Sequence, residues 1–160
     1  MRGYFGVGVE EISKGGNLGN LVRTSHAFGA SFFFTINASV DFQDVQMSDT
    51  SKADGHMPYY AYPNLAAMTL PKDCVLVGVE LMDDSVDLPS FTHPLRAAYV
   101  LGPEKGSLSP ELVKKCAHIV KIPTKFCVNV GIAGALVIYD RMVSLGRFAE
   151  RPVRSGRVLK

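Results

Sequence analysis

"GNLGNLVRTSHAFGA", residues 16–30, decides how the rest of this chain is read. A glycine and an asparagine open it, and Gly-Asn repeats three residues later. The remainder has the apolar spacing of a short helix: Leu18, Leu21, Val22, Ser25 and Phe28 share one face over 18–28, with Asn17 as N-cap and Gly29 as the stop. A helix N-terminus carries free N–H groups and a positive end, so this loop can receive an anion or a ribose hydroxyl, with Arg23 one to two turns inside. Plain capping beside a surface arginine is the other reading of the same residues.

Outward from this stretch, continuous apolar runs alternate with helical patterns. "YFGVGV" (4–9), "SFFFTI" (31–36), "CVLVGVEL" (74–81), "AAYVLG" (97–102) and "HIVKI" (118–122) read as strands buried on both faces, the mark of a mainly parallel sheet in an α/β domain. A short helix is predicted around "NLAAMTL" (64–70). Another runs through "PELVKKC" to Cys116, where Ser109 caps, Pro110 takes the first turn and Glu111 complements the dipole. The last helix, about 128–147, is apolar on nearly every side. Val130, Ile132, Val137 and Leu145 leave it no solvent face, so a partner subunit or the chain's own core must cover it.

A length of 160 residues with 47% hydrophobic content suits one domain with a real core and is too short for two. The net charge of +2 neither demands nor excludes a polyanion, so any nucleic-acid argument rests on where the charge sits. Cys74, Cys116 and Cys127 are odd in number and lack CxxC spacing. Neither a disulfide framework nor a metal site is indicated, and a reducing compartment fits. With no signal-peptide pattern and no run of roughly 20 apolar residues, a cytoplasmic protein without membrane contact is expected. From Arg147 onward, "RFAERPVRSGRVLK" carries four arginines, one lysine and one glutamate, either a solvated appendage or a phosphate-contacting tail.

Two further stretches carry chemistry. In "VLGPEKGSLSPEL" (100–112) a strand ends in a Gly-Pro-Glu-Lys-Gly loop before a capped helix. The paired Lys-Ser/Thr of a phosphate loop is missing and Glu104 would repel phosphate. The loop therefore suits a cationic or neutral ligand, or Glu104 anchors it by accepting backbone N–H bonds. In "KIPTKFCVNVGIAGA" (121–135) a proline-bounded loop leads to Cys127 and Asn129 at a helix start, followed by Gly131, Ala133, Gly134 and Ala135. Such small residues let the backbone approach a flat ligand such as adenine, or a neighbouring helix. A cysteine nucleophile at 127 would have no histidine near it in sequence.

In order and spacing the three stretches resemble the SpoU family of the SPOUT superfamily, S-adenosylmethionine-dependent RNA ribose 2′-O-methyltransferases, over essentially the whole chain. The family's first motif, Asn-x-Gly-Asn-x-x-Arg-Thr, is matched by Asn17, Gly19, Asn20, Arg23 and Thr24. Its second, Gly-x-Glu-x-x-Gly, is matched by Gly102, Glu104 and the displaced Gly106, and Asn129 matches the central asparagine of the third. Around that asparagine the family usually has serine two residues before and two after, where this chain has Cys127 and Gly131. A cysteine keeps the size and a weak donor, whereas a glycine cannot replace a hydroxyl.

The resemblance implies a parallel-sheet α/β-knot domain over 1–148, its C-terminal part tied in a trefoil knot, and a basic tail over 149–160. It implies S-adenosylmethionine, leaving as S-adenosylhomocysteine, held by Val79, Glu80 and Leu81, by Leu101, Gly102, Glu104 and Gly106, and by Ile122, Cys127, Val128, Asn129 and Ala133. Asn17, Asn20, Arg23, Glu104 and Asn129 would form the active site of a homodimer built on the last helix and the first motif. RNA would be the substrate, transfer RNA ahead of ribosomal RNA, contacted by Arg23 and by Arg151, Arg154 and Arg157 of the tail. A catalytically silent RNA- or cofactor-binding member of the same fold stays open because of Cys127 and Gly131.

Overall fold

A computed structural model describes residues 3–40 and 57–148, so Arg151, Arg154 and Arg157 lie outside the described residues. Seven strands form one sheet: β1 (Tyr4–Glu10), β2 (Phe32–Ile36), β3 (Tyr59–Tyr62), β4 (Val75–Val79), β5 (Val86–Asp87), β6 (Arg96–Leu101) and β7 (His118–Lys121). Their order is β3-β2-β1-β6-β4-β7-β5, and every neighbouring pair is parallel. Among the described residues the α-helices are α1 (Gly15–Ala27), α2 (Pro110–Lys115) and α3 (Val130–Leu145).

The sheet is covered on both faces, which is why its central strands read as unbroken apolar runs. On one face Val7, Val9, Phe33, Val77, Tyr99 and Leu101 pack with Leu18, Leu21 and Val22 of α1 and Val137 and Ile138 of α3. On the other, Phe32, Phe34, Ile36, Leu76, Ala98 and Val100 pack with Leu108 and with Leu112 of α2. The "FGVGV" pattern of β1 serves this second face. A Cβ at Gly6 or Gly8 would strike the rings of Phe32 or Phe34, so β1 gives up side chains there and β2 fills the layer. Where α1 and α3 meet, Gly134 leaves room for Leu21 in the same way.

At the base of α3 lies a buried polar cluster. Arg141, 5% exposed, donates to the carbonyls of Tyr4, Pro94 and Leu95 and to Tyr99 Oη. His93 bridges Tyr99 and Asp140, each at 2.7 Å. Burial lowers the His93 pKa against the opposing pull of Asp140, which favours the neutral ring. Because a carboxylate only accepts, Nε2–H donates to Asp140 and Nδ1 accepts from Tyr99. The cluster ties α3 to β6 and the segment before it.

Several sequence expectations shift. The helix expected over 64–70 is a single 3-10 turn, Leu65–Ala67, with Asn64 Oδ1 accepting the Ala67 N–H at 3.0 Å. The stretch between Pro63 and Pro71 is too short to repay helix nucleation. The strand read over 74–81 ends at Val79, and the last helix begins at Val130 and ends at Leu145. The question of what covers α3 has a divided answer. Val130, Val137 and Ile138 face the chain's own core, while Ile132, Leu136, Tyr139 and Val143 are exposed. Among the described residues no helix is long and apolar enough to cross a membrane, and no cluster of His, Cys, Asp and Glu is placed to hold a metal.

Candidate active site

The carboxyl ends of β4, β6 and β7 open together on a cavity of about 260 Å³, the place where open parallel sheets receive ligands. Every residue that the family resemblance assigned to the cofactor lines this one cavity. Val79, Leu101, Ile122, Val130 and Ala133 supply an apolar wall. Pro103 and Thr124, inside the loops 101–106 and 122–129 expected to hold the cofactor, line it too, as do Lys14 and Val130, which were not assigned from sequence. Thr124 falls inside a loop already singled out, whereas Lys14 carries no local signal beyond preceding the first motif.

The loop after β6 is pinned by carboxylates on either side. Glu80 accepts the N–H groups of Leu81 at 3.1 Å and Leu108 at 2.9 Å. Glu10, 4% exposed at the end of β1, accepts the Ser109 N–H at 2.7 Å and its Oγ–H at 2.8 Å. Gly106 turns this loop with φ +104°, a conformation that favours glycine. Glu10 was missed by the sequence reading, although a charged residue closing an otherwise apolar strand was its available signal.

Glu104 reaches back to the start of α1. Its Oε2 accepts the N–H and Oγ–H of Ser13, each at 3.1 Å, and its Oε1 accepts the N–H of Lys14 at 3.0 Å and Asn17 Nδ2 at 3.4 Å. Burial alone would raise the carboxyl pKa, but the backbone N–H groups of Glu104, Ser13 and Lys14, with the Asn17 amide, outweigh it and hold the pKa below its usual value. This arrangement corrects the expectation that Asn17 is the N-cap. The helix begins at Gly15 with Lys14 at the cap position and no side-chain cap of its own. An ionised carboxylate from a distant loop is the stronger acceptor and complements the helix dipole.

Asn17, displaced from capping, accepts from Asn129 Nδ2 at 3.1 Å through its Oδ1. Asn129 in turn caps α3, its Oδ1 accepting from Gly131 at 2.9 Å and Ile132 at 3.4 Å. The chain of bonds Glu104, Asn17, Asn129 therefore joins all three sequence motifs at one cavity. Asn20 and Arg23 are exposed on α1 and do not line it. A Cβ on Gly131 would lie 3.2 Å from Asn129 Oδ1 and 3.7 Å from Asn20 Cβ, so the glycine sits between these two asparagines. Cys127 is an exposed free thiol, and no histidine lines the cavity beside it.

The sequence model of the SpoU rRNA Methylase family matches residues 5–139. The chain belongs to that family. A relative in the mouse, the tRNA (guanosine(18)-2'-O)-methyltransferase TARBP1, is 29% identical over 152 residues, covering 88% of this chain and 10% of that protein. Among solved SpoU structures, AviRb of Streptomyces viridochromogenes with AdoMet gives a TM-score of 0.77 at 23% identity, over 92% of this chain and 60% of that one. The AdoMet-bound rRNA methyltransferase from Sinorhizobium meliloti gives 0.74 at 22% identity, over 92% and 59%. The chain thus spans a tenth of the mouse relative and about three fifths of each bacterial one. Its fold is the parallel-sheet α/β fold typical of the SPOUT trefoil-knot group to which SpoU proteins belong.

Proposed function

We propose that this SpoU protein is an S-adenosylmethionine-dependent methyltransferase acting on a ribose 2′-hydroxyl of transfer RNA, as a homodimer in the cytoplasm. The observation that carries this reading is the bond chain Glu104, Asn17, Asn129, which brings three motifs to the mouth of a single cavity. The cavity's charged groups, Glu80 and Glu104 against Lys14, favour a cationic ligand over a phosphate. Val79, Leu81, Leu101 and Ile122 would bed an adenine ring, and the loops 102–106 and 127–129 would supply backbone hydrogen bonds.

The cofactor, when bound, supplies a methyl group on a sulfonium whose departing thioether is neutral and needs no acid. What the protein must add is position and an activated oxygen. Glu104 is ionised but spends its acceptor oxygens on Ser13, Lys14 and Asn17, so its part is to hold the loop against α1. Asn17 and Asn129 bond each other and keep the motifs in register. Arg23 is left for the RNA. A guanidinium stays protonated, so it clamps a phosphate and polarises the 2′-oxygen in preference to removing its proton.

Because Arg23 and Asn20 lie outside their own chain's cavity, a second copy would deliver them. The exposed apolar side of α3, with Ile132, Leu136, Tyr139 and Val143, is the surface on which the copies would meet. The preference for transfer RNA is supported by the mouse relative, which is named for methylating it; the Sinorhizobium relative is named for ribosomal RNA. The free thiols among the described residues support a reducing compartment.

Labelled methyl transfer to separated transfer and ribosomal RNA fractions, followed by nuclease digestion and mass spectrometry, tests the reading. Label in a 2′-O-methyl nucleoside of transfer RNA is expected, abolished by Arg23→Ala with cofactor affinity nearly unchanged. Label on a base, or equal loss of cofactor affinity and rate in the variant, counts against it. Gly131, which leaves no hydroxyl between Asn20 and Asn129, favours one second reading, a silent binder. That protein would take up cofactor and incorporate nothing.

A further inference from the structure

The loop between β7 and α3 has two sides. Ile122, Thr124, Cys127 and Val128 line the cavity, whereas Phe126 is absent from its lining and, at 75% exposed, is the barest large apolar side chain among the described residues. The turn that presents it is fixed. Thr124 Oγ1 donates to the Phe126 carbonyl at 2.8 Å, and the Thr124 N–H donates to the Ile122 carbonyl at 2.7 Å. Lys125, beside it, is also exposed.

A phenyl ring left in water forgoes the stabilisation that burial would return, so this face favours a flat apolar occupant. A ribose at the mouth of the cavity must carry its base outward. Phe126 immediately precedes Cys127, which lines that cavity. An unpaired base offers a flat face to a ring, and a neighbouring lysine suits its phosphate.

We propose that Phe126 is the stacking platform for the unpaired base of the nucleotide presented for methylation, with Lys125 on an adjoining phosphate. The proposal rests on the reading of an RNA ribose as substrate. Stacking on phenylalanine tolerates any base, so this platform selects for a nucleotide free of pairing and leaves its identity to other contacts.

The test uses the full chain, a single-stranded RNA 12-mer carrying 2-aminopurine, the same RNA as a duplex, and total transfer RNA for methyl transfer. Phe126→Leu removes the aromatic face while staying apolar, and Phe126→Tyr restores it. The leucine variant is expected to bind the single strand roughly tenfold more weakly and to lose the quenching of 2-aminopurine, with the tyrosine variant matching wild type. Duplex binding, cofactor affinity and sedimentation should not change. Undiminished single-strand binding and quenching in the leucine variant would overturn the platform, as would a shift of its monomer–dimer equilibrium, which would assign the ring to a second copy. If the wild type methylates RNA and the leucine variant matches it in KM, only the platform falls. If the wild type neither binds nor methylates RNA, the substrate reading falls and the platform with it.

Discussion

At position 104 one carboxylate collects four donors from a segment about ninety residues earlier in the chain. Its pKa is depressed below the ordinary 4.5, so the stability it contributes is present above about pH 4.5 and is lost as the pH falls through the folded value. Glu104→Gln keeps the shape and removes the charge. Unfolding by urea across about pH 3–7 should show the variant less stable at neutral pH, with the gap to wild type closing in acid. A gap that stays constant with pH would mean the charge is not what these bonds draw on. The residues of this site were legible because asparagine, glycine and arginine recur at motif spacing. Their partners were not. Nothing local to Asn17 says that its amide bonds Glu104 and Asn129 while the helix takes its anion from elsewhere.

The crossing of α1 and α3 places two motifs beside each other, and Gly134 against Leu21 sets how closely they approach. Gly134→Val should separate the helices, costing about 1–3 kcal/mol by overpacking and lowering Tm. It should also raise the KM for cofactor, since Asn17 and Asn129 ride on these two helices. Unchanged Tm and KM would show that Leu21 simply repacks. Among the elements, those buried on both faces were legible from sequence. β1, β2, β4 and β6 announce themselves as apolar runs because most of their residues are buried on both faces, while β7, with only Val120 buried, was read from the short run Ile119-Val120. β3 escaped because Tyr60 and Ala61 are exposed at the sheet edge, and β5 because two residues give no period to read. The cluster of His93, Tyr99, Asp140 and Arg141 was hidden for a different reason. Its members look ordinary in sequence and gain meaning only when α3 folds over β6.

At the scale of the whole molecule, the exposed side of α3 carries the proposed pairing of two copies. Sedimentation of the full chain should give a dimer, and the double variant Ile132→Glu, Leu136→Glu should give a folded monomer that no longer transfers methyl to RNA. A monomeric variant with full activity would show that one chain holds the complete site. Removal of residues 151–160 is expected to reduce the slope of log affinity for RNA against log salt by roughly two to three, for the three arginines and the lysine lost. An unchanged slope would take the tail out of the interface.

The position of β1 inside the sheet, between β2 and β6, also governs how the chain is made. β1 can zip to β2 once β2 has emerged, but its other edge pairs with β6, from Tyr4 against Arg96 to Val9 against Leu101. Until residue 101 has cleared the ribosome, that apolar edge lacks the strand it pairs with in the fold. Glu10 waits for Ser109, and the start of α1 waits for Glu104. Late parallel pairing of this kind folds slowly and leaves sticky edges exposed in the meantime, so the nascent protein is expected to lean on chaperones that hold it until β6 and the loop after it arrive.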